Sequence, residues 1–144
     1  MSRIEKAIFS FKGDFNCAQS ILSSYSNQYG LDRDTALRLA TGFGGGMGRM
    51  QNTCGAVSGA FMVIGLRYGR GINNDNEARE KTYQVIREFS NRFQEIHGSI
   101  ICKELLGCDI NTPVGKDFYD RNEFFEKKCL QYVKDSAKIL DEIL

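Results

Sequence analysis

Residues 74–98 read NDNEAREKTYQVIREFSNRFQEIHG, and this stretch decides the fold class. Val85, Ile86, Phe89, Phe93 and Ile96 recur at spacings of three and four, which puts them on one face of a helix. Asn74 with Glu77 makes a capping-box pattern at its start, and Gly98 is its stop. A helix with one apolar and one charged face has to be covered by other helices or by a sheet. Strand alternation is missing elsewhere in the chain, so an all-α bundle is predicted.

Working outward, the spacing predicts about five to six helices. One runs from about Phe15 to Tyr29, with Asp14 as N-cap, a stripe of Ala18, Ile21, Leu22, Tyr25 and Tyr29, and Gly30 as stop. A second begins after Asp32 and dissolves into the glycine-rich loop Gly42 to Gly48. The third follows Thr53, and its Gly55 and Gly59, one turn apart, permit close backbone approach. After the long helix, Ser99 opens a short one that ends at Gly107, and a last helix follows Asn122 with Phe125, Cys129, Tyr132, Val133, Leu140 and Ile143 inward. Pro113 lies in a stretch read as irregular.

A chain of 144 residues is the usual size of one domain, so residues 1–144 are expected to fold as a single unit. Its 19 basic residues balance 18 acidic ones, and no basic stripe is interleaved with aromatics, which argues against nucleic-acid binding. The most apolar run, Cys54 to Leu66, falls short of the roughly 20 residues a membrane span needs. Met1 to Phe11 lacks the apolar core of a signal peptide, so the protein is expected in the cytoplasm. In a reducing compartment five cysteines point to metal binding, redox work or plain burial rather than to a disulfide framework.

The caps place three of these cysteines at helix starts: Cys17 at the third position after Asp14, Cys54 directly after Thr53, and Cys102 at the third position after Ser99. Unpaired N–H groups in a first turn stabilise a thiolate, so lowered thiol pKa values are expected there. Cys129 lies on the inward stripe of the last helix, beside Lys127 and Lys128, while Cys108 follows a helix-ending glycine and reads as packing. The bland alternative is that all are small buried hydrophobes. No C-x-x-C pair is present, so any site has to be assembled by the fold. His97 is expected to cap the long helix. The glycine loop lacks the Gly-Lys-Ser/Thr of a phosphate loop and is read as letting backbone pass close to the cysteines and offer them N–H groups.

These residues resemble the C_GCAxxG_C_C family, named for its cysteine pattern and regarded as redox-active. The resemblance spans nearly the whole chain. It rests on Asn16-Cys17-Ala18-Gln19, on the glycine loop leading into Cys54-Gly55-Ala56-Val57-Ser58-Gly59, on Gly65-Leu66-Arg67-Tyr68-Gly69, on Gly98-Ser99-Ile100-Ile101-Cys102 with Leu105-Leu106-Gly107, and on Cys129. It implies four cysteines acting together, matched here by Cys17, Cys54, Cys102 and Cys129 as catalytic and metal-binding residues, with Gly55 and Gly59 as further cofactor-binding positions. A similarity to a domain of split-Soret cytochromes implies an iron–sulfur cluster, most simply [2Fe–2S]; haem does not carry over, because no C-x-x-C-H site is present.

The leading expectation is therefore a small electron-transfer protein serving an unidentified redox partner protein. The enzyme-class alternative is a thiol–disulfide oxidoreductase in which Cys54 attacks and Cys17 or Cys102 resolves. A third reading is a zinc-stabilised or metal-free helical interaction module, a homodimer through the long helix.

Overall fold

The computed structural model describes all 144 residues. Eight α-helices run in the order α1 (Arg3–Lys12), α2 (Cys17–Tyr25), α3 (Arg33–Ala40), α4 (Gly55–Tyr68), α5 (Asn76–His97), α6 (Cys102–Leu106), α7 (Pro113–Arg121) and α8 (Leu130–Ile143). Short 3-10 turns at Ser26–Tyr29 and Thr41–Phe43 and one π-helical turn at Phe125–Cys129 join them. The fold is all-α, as the periodicity of residues 74–98 requires, and the single strand-like contact is an antiparallel bridge between Thr53 and Ile101.

Helix α2 is the centre of the bundle, flanked by α1, α3, α4 and α8. Two glycines bring α4 against it: a Cβ on Gly55 would lie 3.0 Å from the Ala18 nitrogen, and one on Gly59 would lie 3.0 Å from the Ala18 carbonyl oxygen. Small residues on both helices are what permit this separation. Helix α5 seals the far side with Val85, Phe89 and Phe93 inward, where Phe61 of α4 meets Phe89 edge-on with ring centroids 6.1 Å apart. Each fully buried phenylalanine is worth about 1.5–3 kcal/mol. Helix α8 closes the bundle through two buried hydrogen bonds: Ser136 Oγ donates to the Ala56 carbonyl at 2.7 Å, and Tyr25 Oη donates to the Ala137 carbonyl at 3.0 Å.

Two helices exceed the sequence expectation, and both carry start signals. Ser2 Oγ accepts from the Glu5 N–H at 3.1 Å to open α1. Thr112 Oγ1 accepts from the Gly115 N–H at 3.0 Å, with Pro113 at the first helical position of α7. The stretch around Pro113 is therefore helix, because proline lacks only an N–H that a first turn leaves unpaired anyway.

Four of the caps move by one or two residues. Asp14 is not the cap of α2 but sits in the left-handed region at φ 77°; Asn16 is the cap, in a reciprocal pair with Gln19. Asp75 replaces Asn74, which takes φ 53° in the preceding turn. Thr53 and Ser99 cap nothing: Cys54 and Ile101 stand at those positions, and Ser99 Oγ instead accepts from the Ile101 N–H at 2.9 Å. Asn122 ends α7, and the last helix starts through the π turn. Ser99 and Asn122, which donates through Nδ2 to the Phe118 carbonyl at 2.8 Å, bond to nearby backbone instead, which competes with capping.

Candidate functional site

Four elements deliver the four cysteines. The Asn16–Gln19 capping box fixes the start of α2, and the same two side chains reach the end of α3: Asn16 Nδ2 donates to the Thr41 carbonyl at 3.0 Å and Gln19 Nε2 to the Leu37 carbonyl at 3.0 Å. Cys17 is thus the first residue of a helix whose orientation is locked on both sides. Cys54 and Cys102 are held to each other's strands by the short bridge, in which Cys54 N–H donates to the Ile100 carbonyl at 2.8 Å and Cys102 N–H to the Asn52 carbonyl at 2.6 Å. Cys129 ends the π turn, whose extra residue per turn rotates the following chain.

The glycine loop lies between these elements. Gly45, Gly46, Met47, Gly48 and Arg49 all have positive φ, between 58° and 71°, a left-handed run that only glycine adopts without penalty. Its path is secured by bonds that skip over the run, from Gln51 N–H to the Gly45 carbonyl at 3.0 Å and from Asn52 N–H to the Gly46 carbonyl at 2.9 Å. The N–H groups of Gly45 and Gly46 have no backbone acceptor. Buried Gln51 then ties the loop to the segment after α6, donating through Nε2 to the Cys108 carbonyl at 2.9 Å and accepting from the Ile110 N–H at 2.9 Å.

Cys17, Cys54, Cys102 and Cys129 line a single cavity of about 70 Å³, together with Asn16, Gly45, Gly46, Gly55 and an apolar wall that includes Leu105, Ile110, Phe125, Tyr119 and Tyr132. No carboxylate or imidazole lines it. Gly55 belongs to the lining, whereas Gly59 lies a turn further on, against Ala18 and Ile21. Cys108 is half-buried and outside the lining. His97 is also outside: its Nε2 pairs with Asp135 Oδ2 at 2.8 Å, joining α5 to α8, and its ring packs on Phe93 and Tyr132. No three histidine, cysteine, aspartate or glutamate side chains are gathered as they would be around one metal ion.

The electrostatics reverse the expectation for the helix starts. The N–H groups of Ala56 and Val57 do favour a Cys54 thiolate, but burial outweighs them and pushes the thiol up to about 12. Burial likewise lifts Cys102 to about 11, against the lowering effect of a hydrogen bond with Gln51. Cys17 is raised by its hydrogen bond with Cys129, then by burial. A first turn supplies only part of a unit charge, too little to compensate the desolvation of an interior thiolate.

Cys129 is the exception, lowered chiefly by the hydrogen bond from Cys17 and further by Tyr119, with Lys128 adding positive charge and burial and Glu126 opposing. Tyr119 Oη lies 3.9 Å from Cys129 Sγ. From the sequence, Tyr119 reads with Phe118, Phe124 and Phe125 as a core aromatic rather than part of a site, because α7 lies in the stretch read as irregular; the Thr112-Pro113 start signal was the clue to its placement.

The helical fold thus brings four thiols to one cavity that has no carboxylate in its wall. The chain belongs to the family described as "Putative redox-active protein (C_GCAxxG_C_C)", whose profile matches residues 15–143. No curated protein and no solved structure matches it. No helix is long and apolar enough to cross a membrane.

Proposed function

We propose that this chain is an electron-transfer protein whose cavity holds an iron–sulfur cluster, a [2Fe–2S] centre, on Cys17, Cys54, Cys102 and Cys129. The observation that carries the reading is the convergence of these four thiols on one cavity that no carboxylate or imidazole lines. The donor set fits: soft thiolates in the number a cluster requires suit iron–sulfur chemistry, and the N–H groups of Gly45 and Gly46 stand free beside them to donate to sulfur. When bound, such a cluster takes up and releases one electron. The chain's own residues exclude water through Leu105, Ile110 and Phe125 and hold the charge on sulfur through Tyr119 and Lys128. The electron comes from, and goes to, a redox partner protein.

Purification without oxygen, followed by iron and acid-labile sulfide analysis, tests the proposal. The expected result is a coloured protein with about two irons and two sulfides per chain. A colourless protein with zinc in stoichiometric amount, or with no metal after anaerobic reconstitution with iron and sulfide, defeats it.

The mutual influence of Cys17 and Cys129, which raises the first thiol and lowers the second, favours one second reading, thiol–disulfide exchange. Here Cys129, the readiest thiolate, attacks a substrate disulfide and Cys17 resolves the mixed disulfide, which replaces the Cys54-led order expected from helix starts. A metal-free protein that forms a Cys17–Cys129 disulfide while reducing a small disulfide supports this reading.

A further inference from the structure

We propose that Tyr119 is a positioning residue of the redox centre: its hydroxyl donates a hydrogen bond to Cys129 Sγ and so sets the reduction potential of the cysteine site. The inference rests on the reading of these cysteines as a redox centre, and it adds a residue outside the cysteine pattern.

The geometry separates Tyr119 from the other aromatic side chains of the cavity wall. Its Oη stands 3.9 Å from Cys129 Sγ, within the reach of an O–H···S bond. Tyr132 lines the same cavity, but its hydroxyl is committed elsewhere, donating to the Leu105 carbonyl at 2.9 Å. Phe125 has no hydroxyl and stacks on Phe11 with ring centroids 4.4 Å apart. The direction of the bond follows from the chemistry of the two groups: in both redox readings the sulfur acts as a thiolate, which only accepts, so the phenol is the donor.

The placement of Tyr119 is specific as well. Helix α7 is fixed at its start by Thr112 and by Asn111, whose Nδ2 donates to the Arg49 carbonyl at 2.6 Å, which ties this helix to the glycine loop. Phe124 meets Tyr119 edge-on at 6.1 Å, and the Lys116 ammonium lies 5.0 Å from its ring centroid. Phe124 and Lys116 hold the ring with its hydroxyl toward the sulfur.

A donor to sulfur stabilises the more electron-rich state, so it raises the potential. This sign is common to both redox readings. In a cluster the reduced centre carries one more electron, and part of that charge sits on the thiolate sulfurs. In thiol–disulfide exchange two protein thiols and one glutathione disulfide become one protein disulfide and two glutathione molecules, and the hydrogen bond favours the reduced, thiolate-bearing side.

Tyr119→Phe removes only the hydroxyl. On the anaerobically reconstituted protein, a dye-mediated titration followed by visible absorption should move to a more negative midpoint, with iron and sulfide per chain unchanged. On the metal-free protein, equilibration in glutathione buffers should move the disulfide midpoint the same way. Tyr68→Phe, which loses a hydroxyl bonded to the Ile143 carbonyl at 3.2 Å, away from the cavity, should leave both midpoints in place. Unchanged midpoints in Tyr119→Phe, or equal shifts in the two variants, overturn the proposal. Wild-type protein without a cluster but with a shifted disulfide midpoint in Tyr119→Phe rejects the iron–sulfur reading and keeps Tyr119, whereas a cluster with an unshifted midpoint does the reverse. Wild-type protein that supports neither centre overturns both.

Discussion

Gly46 stands so close to Cys102 that a Cβ on the glycine would lie 2.7 Å from the Cys102 Cβ. The same atom would lie 2.6 Å from the Gln51 Cα, so backbone and cavity wall would both have to shift. Gly46→Ala should therefore lower stability by about 2 kcal/mol or more and deform the cysteine cavity. Gly48→Ala provides the comparison: φ is 58° there, but no atom lies within 4 Å of the added Cβ, so the left-handed strain acts alone, about 1–2 kcal/mol. Urea unfolding of the two variants measures the difference. Equal losses would show that the approach to Cys102 is not constraining.

Thiol reactivity should follow the environments of the sulfurs rather than the helix starts. As pH rises from neutral, iodoacetamide followed by peptide mass spectrometry of the reduced, metal-free protein should modify Cys129 before the other three, because Cys17, Tyr119 and Lys128 favour its thiolate. Cys17 and Cys54 should both resist, since the Cys129 thiol and burial hold Cys17 well above the usual thiol range and burial pushes Cys54 up to about 12. Early modification of Cys54 would show that its first-turn N–H groups outweigh desolvation after all.

Stability should fall in alkali. Cys54 and Cys102 have folded values of about 12 and about 11, above the unfolded value near 8.5. A group raised on folding contributes stability that is complete below its unfolded value and is lost as pH climbs through the folded one, here between about 8.5 and 12. Cys129 has the opposite sign: its contribution is present above its unfolded value and is lost as pH falls through the lowered folded value. Cys54→Ala should flatten the alkaline decline by at most about 1.4 kcal/mol per pH unit. Urea midpoints at two alkaline pH values, compared between variant and wild type, check this, and identical slopes would contradict it.

Cys108 is the control for the cluster assignment. Serine at Cys17, Cys54, Cys102 or Cys129 should abolish or markedly destabilise a bound cluster, because a hydroxyl is a poor substitute for thiolate toward a soft metal. Cys108→Ser should retain the cluster and lose on the order of 1 kcal/mol of packing. Metal analysis after anaerobic reconstitution reads both. Loss of metal in Cys108→Ser with retention in Cys129→Ser would put the fourth ligand on the wrong residue.

The sequence by itself determined the class of fold and singled out the four cysteines that the fold brings to one cavity. Spacing of three and four along Val85, Phe89 and Phe93 is a property of consecutive residues, so amphipathicity was legible without a partner, and so were the stops at Gly30, Gly98 and Gly107, each found at positive φ. The four cysteines stood out by their motif context. The sequence misplaced the caps, because Asp14, Asn74 and Ser99 belong to residue types that serve turns as readily as helix starts, and only the chain's path chooses. Tertiary structure alone decided the acidities. Whether Cys54 ionises depends on how much water the neighbouring helices remove, and burial proved stronger than the helix start; Cys129 is favoured because Cys17 and Tyr119, 112 and 10 positions earlier, are folded onto its sulfur. Desolvation and hydrogen bonding across elements are sums over spatial neighbours, and a linear sequence does not contain them until the bundle has closed.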